Sequence, residues 1–259
     1  MSTDNPLLLR TDTAGITTLT LNNPAARNAL STAMLTALED ALSDIAADDT
    51  VRVLIIAANG PGFCAGHDLR EVRAFDGPAR ARLFAQCSRF MQRLTTLPVP
   101  VIARVHGIAT AAGCQLVATC DLALATDTAR FAVSGINVGL FCSTPMVALS
   151  RVVPRKAAME MLLTGDFIDA SEAARLGLIN RCLPEPELDA AVQSLATKLA
   201  GKSRSAVALG KPAFYRQAEL TLAEAYAHTA DVMVRNMEAH DANEGIDAFV
   251  QKRLPVWAD

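Results

Sequence analysis

Aromatic residues are scarce in this sequence, at 5%, with one tryptophan and two tyrosines. Stacking platforms for single-stranded nucleic acid need such side chains. Charge of one sign is scarce too: 24 Lys and Arg stand against 27 Asp and Glu, for a net charge of −3. That balance disfavours nucleic acid or an anionic membrane as a partner. The most apolar runs, such as VLIIAA (53–58), are far too short to span a bilayer. The opening MSTDNPLLLRT lacks a basic, apolar secretory pattern and any mitochondrial-type leader, so a cytoplasmic protein is expected. No CxxC pair or HExxH motif occurs among the 6 cysteines and 4 histidines, so no metal site is expected. The cysteines read as reduced, buried thiols, with Cys142 in LFCST the one to watch.

What is abundant is apolar surface, 51% of 259 residues, enough for a large core. LLLRTDTAGITTLTL (7–21) reads as two strands about a turn at Asp12–Gly15. Ser31 reads as the N-cap of a helix reaching about Asp48, with Leu35, Leu38, Leu42 and Ile45 on one face. VRVLIIAA (51–58) and VPVIARVHG (99–107) read as buried strands, with a helix over about 78–96 between them. Segments 121–125 and 129–133 read as short strands. This alternation predicts parallel strands joined by helical crossovers. Beyond residue 143 the pattern is helical, with segments near 143–150, 155–163, 171–177, 186–201, 204–216, 220–238 and 243–253. The division expected is a core over 1–200 and a helical region over 201–259 that packs on the core or on a neighbouring subunit.

Each buried strand runs into a loop of small residues leading towards a helix: GPGFCAGHDL (60–69) and GIATAAGCQL (107–116). Small residues let a ligand approach the backbone, and a helix start offers free N–H groups. Two such loops side by side would aim two N–H groups at one oxygen, the requirement for stabilising an oxyanion or enolate. Two ordinary strand–helix loops would have the same spacing.

Several segments resemble the crotonase (enoyl-CoA hydratase/isomerase) superfamily in the family's order. They are LNNPAARNAL (21–30), GPGFCAGHDLRE (60–71), PVIARVHGIATAAGCQLVATCDLALAT (100–126), LLTGDFIDASEAARLGLINRCLP (162–184) and EGIDAFVQKRLPVW (244–257). The resemblance implies an α/β fold, a spiral of ββα turns with a helical C-terminal region that assembles homotrimers or homohexamers. It implies an acyl-CoA substrate and no separate cofactor. The oxyanion donors would be the backbone N–H groups of His67 and Ala112. Coenzyme A would meet Ala25, Ala26, Arg27, Ala65 and Leu69, and Lys252 from a neighbouring subunit.

Family members that hydrate a double bond flank it with two glutamates. By position these are Gln115 and Gly135 here. An amide has no usable pKa and glycine has no side chain. Since one positioned acid or base contributes about 10²–10⁴ in rate, hydration is expected to be weak. Decarboxylation, thioester hydrolysis and isomerisation remain open, as does an acyl-CoA-binding protein without catalysis. His67, Cys142 and Ser143 are the side chains to examine as stand-ins. Gln115→Glu with Gly135→Glu is the substitution pair that would restore both acids.

Overall fold

A computed structural model of the protein describes residues 6–258. The N-terminal hairpin pairs β1 (Leu8–Thr13) with β2 (Ile16–Leu21), antiparallel, around Ala14 and Gly15. From β2 onward the main sheet is parallel. β3 (Val53–Ala58), β4 (Val101–Val105), β6 (Leu122–Thr126) and β9 (Arg181–Leu183) follow in the order β1-β2-β3-β4-β6-β9. A smaller sheet holds β5 (Ile108–Thr110), β7 (Arg130–Ala132) and β8 (Ile168–Asp169) in the order β5-β7-β8.

Every residue of β3 is buried, because both faces of the main sheet are covered. On one face Leu54, Ile56, Val101, Ala103 and Val105 pack with α1 (Thr32–Ala47) and α3 (Gly77–Thr96). On the other, Val53, Ile55, Ile102 and Leu124 meet Leu188, Val192 and Ala196 of α8 (Glu185–Ala200). Strand alternation thus separates two cores. The Ser31 hydroxyl caps α1 by accepting from Met34 N at 3.2 Å. The helix buries Met34, Leu35, Leu38, Leu42 and Ile45, the face set by their spacing.

Between β3 and α3 lies a short helix, α2 (Leu69–Ala74). α4 (Ala112–Thr119) follows β5 and is buried along its whole length. α5 (Pro145–Val152), α6 (Arg155–Thr164) and α7 (Ala170–Leu176) lead into β9 and α8. The chain ends in α9 (Arg204–Gln217), α10 (Leu222–Glu238) and α11 (His240–Gln251). These last helices expose Leu222, Tyr226 and Phe249, and the segment after them Leu254, by 72% or more, an apolar surface left uncovered among the described residues.

α9 is tied to the core through Asp121. One carboxylate oxygen accepts from Lys211 Nζ and from Val101 N, both at 2.7 Å, and the other accepts from Tyr215 Oη at 2.8 Å. Lys211 also donates to Val99 O at 2.8 Å. No helix among the described residues is long and apolar enough to cross a membrane, and no group of three or more metal-ligating side chains is found among them.

Candidate active site

The two small-residue loops are stitched together by main-chain bonds. Cys64 N donates to Ile108 O at 3.1 Å, and Thr110 N donates to Cys64 O at 3.0 Å. This extends the smaller sheet into the first loop. Gly66 then turns with φ +89°, and a methyl group added there would stand 2.9 Å from Ala111 Cβ and 3.1 Å from Ala112 N. The Gly66 α-carbon, from which the next peptide leads to His67, therefore lies close to the first N–H of α4. Ala111, just before that helix, holds φ 51° and ψ −118° and donates from its N–H to Ala132 O at 2.9 Å. A non-glycine residue in this region costs about 1–3 kcal/mol and persists only where its surroundings enforce it.

The turn at 24–28 closes the arrangement. Ala65 N donates to Arg27 O at 3.0 Å, and Leu30 N donates to Gly66 O at 2.8 Å. Ala25, Ala26, Arg27 and Ala65 thus share one neighbourhood, and Leu69 is exposed at the start of α2. Lys252 lies elsewhere, exposed at the left-handed end of α11, which packs on α9 and α10. Sequence reasoning missed Asn28, the buttress of this turn. Its buried side chain accepts from Asn23 N at 2.8 Å and donates to Asn59 O at 2.8 Å and Gly62 O at 3.0 Å. Asn28 holds the left-handed region (φ 54°), which asparagine tolerates, but its contacts lie 5 to 34 residues away and no local pattern signals them.

Gln115 stands three residues after Ala112, on the same side of α4. Helical side chains lean towards the N-terminus, so its amide lies over the turn that carries the Ala112 N–H. It is 5% exposed, and its Oε1 is buried with no hydrogen-bond partner among the described residues. At Gly135 the chain folds over itself. Leu140 N donates to Gly135 O at 2.9 Å, and the Gly135 N–H donates to the Cys142 thiol. A methyl group at Gly135 would meet Leu140 O at 2.6 Å and Cys142 Sγ at 2.8 Å. The position that carries an acid in hydrating family members thus has no room for any side chain. Restoring both acids by simple substitution, as the sequence suggested, is corrected here: a glutamate at 135 would force the 139–142 loop outward.

The other stand-ins are quickly placed. Burial pushes the Cys64 and Cys114 thiols up to about 12 and raises Cys142 as well, so none is a thiolate near neutral pH. The Ser143 hydroxyl donates to Phe141 O at 3.3 Å, a main-chain carbonyl and not a base that could activate it. Thr144 holds the N-cap position of α5 without a capping bond. Ser134 and Thr110 pair through their hydroxyls at 2.8 Å. Asp68 caps α2 through Arg70 N at 2.8 Å, and Glu71 accepts from Thr32 N at 3.0 Å. His106 Nε2 lies 2.8 Å from Gly60 O.

His67 differs from these. Its Nδ1 is 3.0 Å from Leu30 O, so that nitrogen carries the proton. Its ring meets Phe84 edge-on, with centroids 5.3 Å apart. Burial holds the imidazole below its ordinary value of 6.5, only partly opposed by the Leu30 carbonyl and Glu71. The unfolded chain therefore binds a proton here before the folded one does. Folding stability from this group is complete above about pH 6.5 and is lost as pH falls below it. Chemical denaturation at about pH 7.5 and about pH 5.5 should show a loss for the wild type that His67→Phe reduces. The depressed carboxylates Asp12 and Glu244 start from 3.8 and 4.5, so their stabilisation is lost at lower pH.

Spiral sheets, a buried helix start and two glycine loops stitched together define a crotonase-type fold. A family profile described as enoyl-CoA hydratase/isomerase matches residues 11–259, and the chain belongs to that family. The chain is 50% identical over 245 residues to mouse "Enoyl-CoA hydratase domain-containing protein 3, mitochondrial", covering 94% of this chain and 82% of that protein. A crystal structure of an enoyl-CoA hydratase from Mycobacterium smegmatis superposes with a TM-score of 0.96 at 55% identity, covering 98% of this chain and 100% of that one. The structure of human enoyl-CoA hydratase domain-containing protein 3 gives 0.94 at 48% identity, over 97% and 100% of the two chains.

These relatives correct one expectation. The mouse protein is named as mitochondrial, which points away from the cytoplasm that the opening residues suggested. A folded core carries no physical imprint of its compartment, and a short N-terminal stretch is thin ground for inferring one.

Proposed function

We propose that this protein binds acyl-CoA thioesters and stabilises an oxyanion or enolate with the His67 and Ala112 backbone N–H groups, while hydrating enoyl-CoA poorly. The observation that carries this reading is the 3.1 Å approach of a Gly66 methyl position to Ala112 N. It brings the Gly66 α-carbon, from which the next peptide leads to His67, close to the first N–H of a buried helix, and this supports the reading that the two N–H groups share one oxygen. Two donors in a dry site stabilise developing negative charge without a proton transfer, and losing one such donor costs about 10²–10³ in rate. Coenzyme A would lie along Ala25, Ala26, Arg27, Ala65 and Leu69, with Lys252 supplied by a neighbouring copy. The uncovered apolar side chains of α10 and α11 support assembly into trimers or hexamers.

Neither acid position holds a proton-carrying group, which favours chemistry that reaches the enolate without a base. Decarboxylation is such a route, because the departing CO₂ leaves its bonding electrons on the α-carbon. Turnover of crotonyl-CoA should fall at least about 10²-fold below that of a two-acid hydratase, from the loss of both groups. Gln115→Glu, which needs no new space, should raise it by about tenfold or more, since a buried carboxylate is tuned towards neutral pKa. Efficient hydration by the wild type would refute this reading. Binding of enoyl-, malonyl- and saturated acyl-CoA with conversion of none would replace it with a non-catalytic binder.

A further inference from the structure

We propose that His67 also selects the substrate, its Nε2 accepting a hydrogen bond from a hydroxyl carried on the acyl chain beyond the β-carbon. The inference rests on the thioester reading above. Its starting point is an unsatisfied atom: His67 Nε2 is buried without a hydrogen-bond partner among the described residues. Buried polar atoms are nearly always paired, so an orphan at a site marks a ligand's place. The Leu30 carbonyl, 3.0 Å from Nδ1, can only accept, so the ring proton sits on Nδ1. Nε2 is left with a lone pair, and its missing partner is a donor.

The position of the ring sets where that donor must be. The backbone of His67 faces α4, where Ala112 begins the helix, whereas its side chain runs towards Leu30 and Phe84 of α3. The acceptor therefore meets the acyl group further along than the carbons beside the thioester. A carboxylate offers no proton and would face the lone pair. An ammonium would have to shed its water beside a buried ring, and the nearby carboxylate, Glu71, already accepts from Thr32 N. A hydroxyl is the small, neutral donor that suits this place. Phe84, 36% exposed, is the ring packed edge-on against the imidazole there.

The test is isothermal titration with pairs of acyl-CoA thioesters of equal chain length, with and without one hydroxyl beyond the β-carbon. The wild type should prefer the hydroxylated member by about tenfold, the worth of one good hydrogen bond in a dry site. In His67→Phe the preference should fall to about one. His67→Gln, which keeps an acceptor at similar reach, should retain part of it even if the phenylalanine variant folds poorly. Equal affinities in the wild type, or a preference intact in His67→Phe, would overturn the inference and leave the thioester site standing. Failure of both thioesters to bind would overturn both.

Discussion

Gly113→Ala is expected to be among the most damaging single-methyl changes in this protein, costing about 3 kcal/mol or more. A Cβ at residue 113 would sit 2.1 Å from Cys64 O and 2.7 Å from Cys64 C. Both contacts are with backbone, so no rotamer change relieves them. The segment at Cys64 is itself fixed to β5 by two main-chain bonds, to Ile108 and Thr110. Relief must come from moving α4 away from the loop, at the upper end of the range for overpacked interiors. That displacement would also separate Ala112 from Gly66, so acyl-CoA binding should fall along with stability. Urea denaturation and thioester titration on the same sample check both. Near-wild-type stability with intact binding would mean that the helix and loop are not rigidly packed.

Asp121→Ala should cost a comparable 3–5 kcal/mol, by a different route. Lys211 is 8% exposed at its side chain and Asp121 17%, and burial lowers the Lys211 pKa while Asp121 opposes that shift. Without the carboxylate, a buried ammonium loses its counter-charge, and Val101 N and Tyr215 Oη lose their acceptor. Breaking a buried pair from one side carries this penalty, whereas replacing both partners by apolar groups is often nearly neutral. Asp121→Leu with Lys211→Met should therefore cost much less than the sum of the single changes, and a double-mutant cycle of denaturation midpoints measures the difference. Because the pair docks α9, the single variant should also expose the region beyond residue 200 to protease first. Additive losses would show that the ion pair is not a coupled unit.

Sequence alone carried the fold wherever periodicity or chain length was large. The leucine face of α1, the two buried runs that became β3 and β4, and the long C-terminal helices all rest on local pattern. Missed were β5, β8, β9 and α2, segments of 2–6 residues whose existence depends on partners far along the chain. The smaller sheet is the clearest case, since β5 forms by pairing with β7 and with Cys64 across long loops.

The candidate site was legible in the same uneven way. Motif order pointed to His67, Ala112, Gln115 and Gly135 without any coordinates. What the sequence could not reveal is contact. A glycine looks alike in print whether its α-carbon faces solvent, as at Gly77, or a backbone oxygen, as at Gly113 and Gly135. The orphaned Nε2 of His67 and the buried amide of Asn28 are likewise products of packing.

Infrared difference spectroscopy of a bound acyl-CoA, isotope-labelled at its thioester carbonyl, tests most directly the proposal that residues 67 and 112 share one oxygen. Two converging N–H donors must polarise that bond, and the account predicts a carbonyl band at lower frequency in the complex than in water. A band unmoved by binding, with the thioester demonstrably bound, would contradict it.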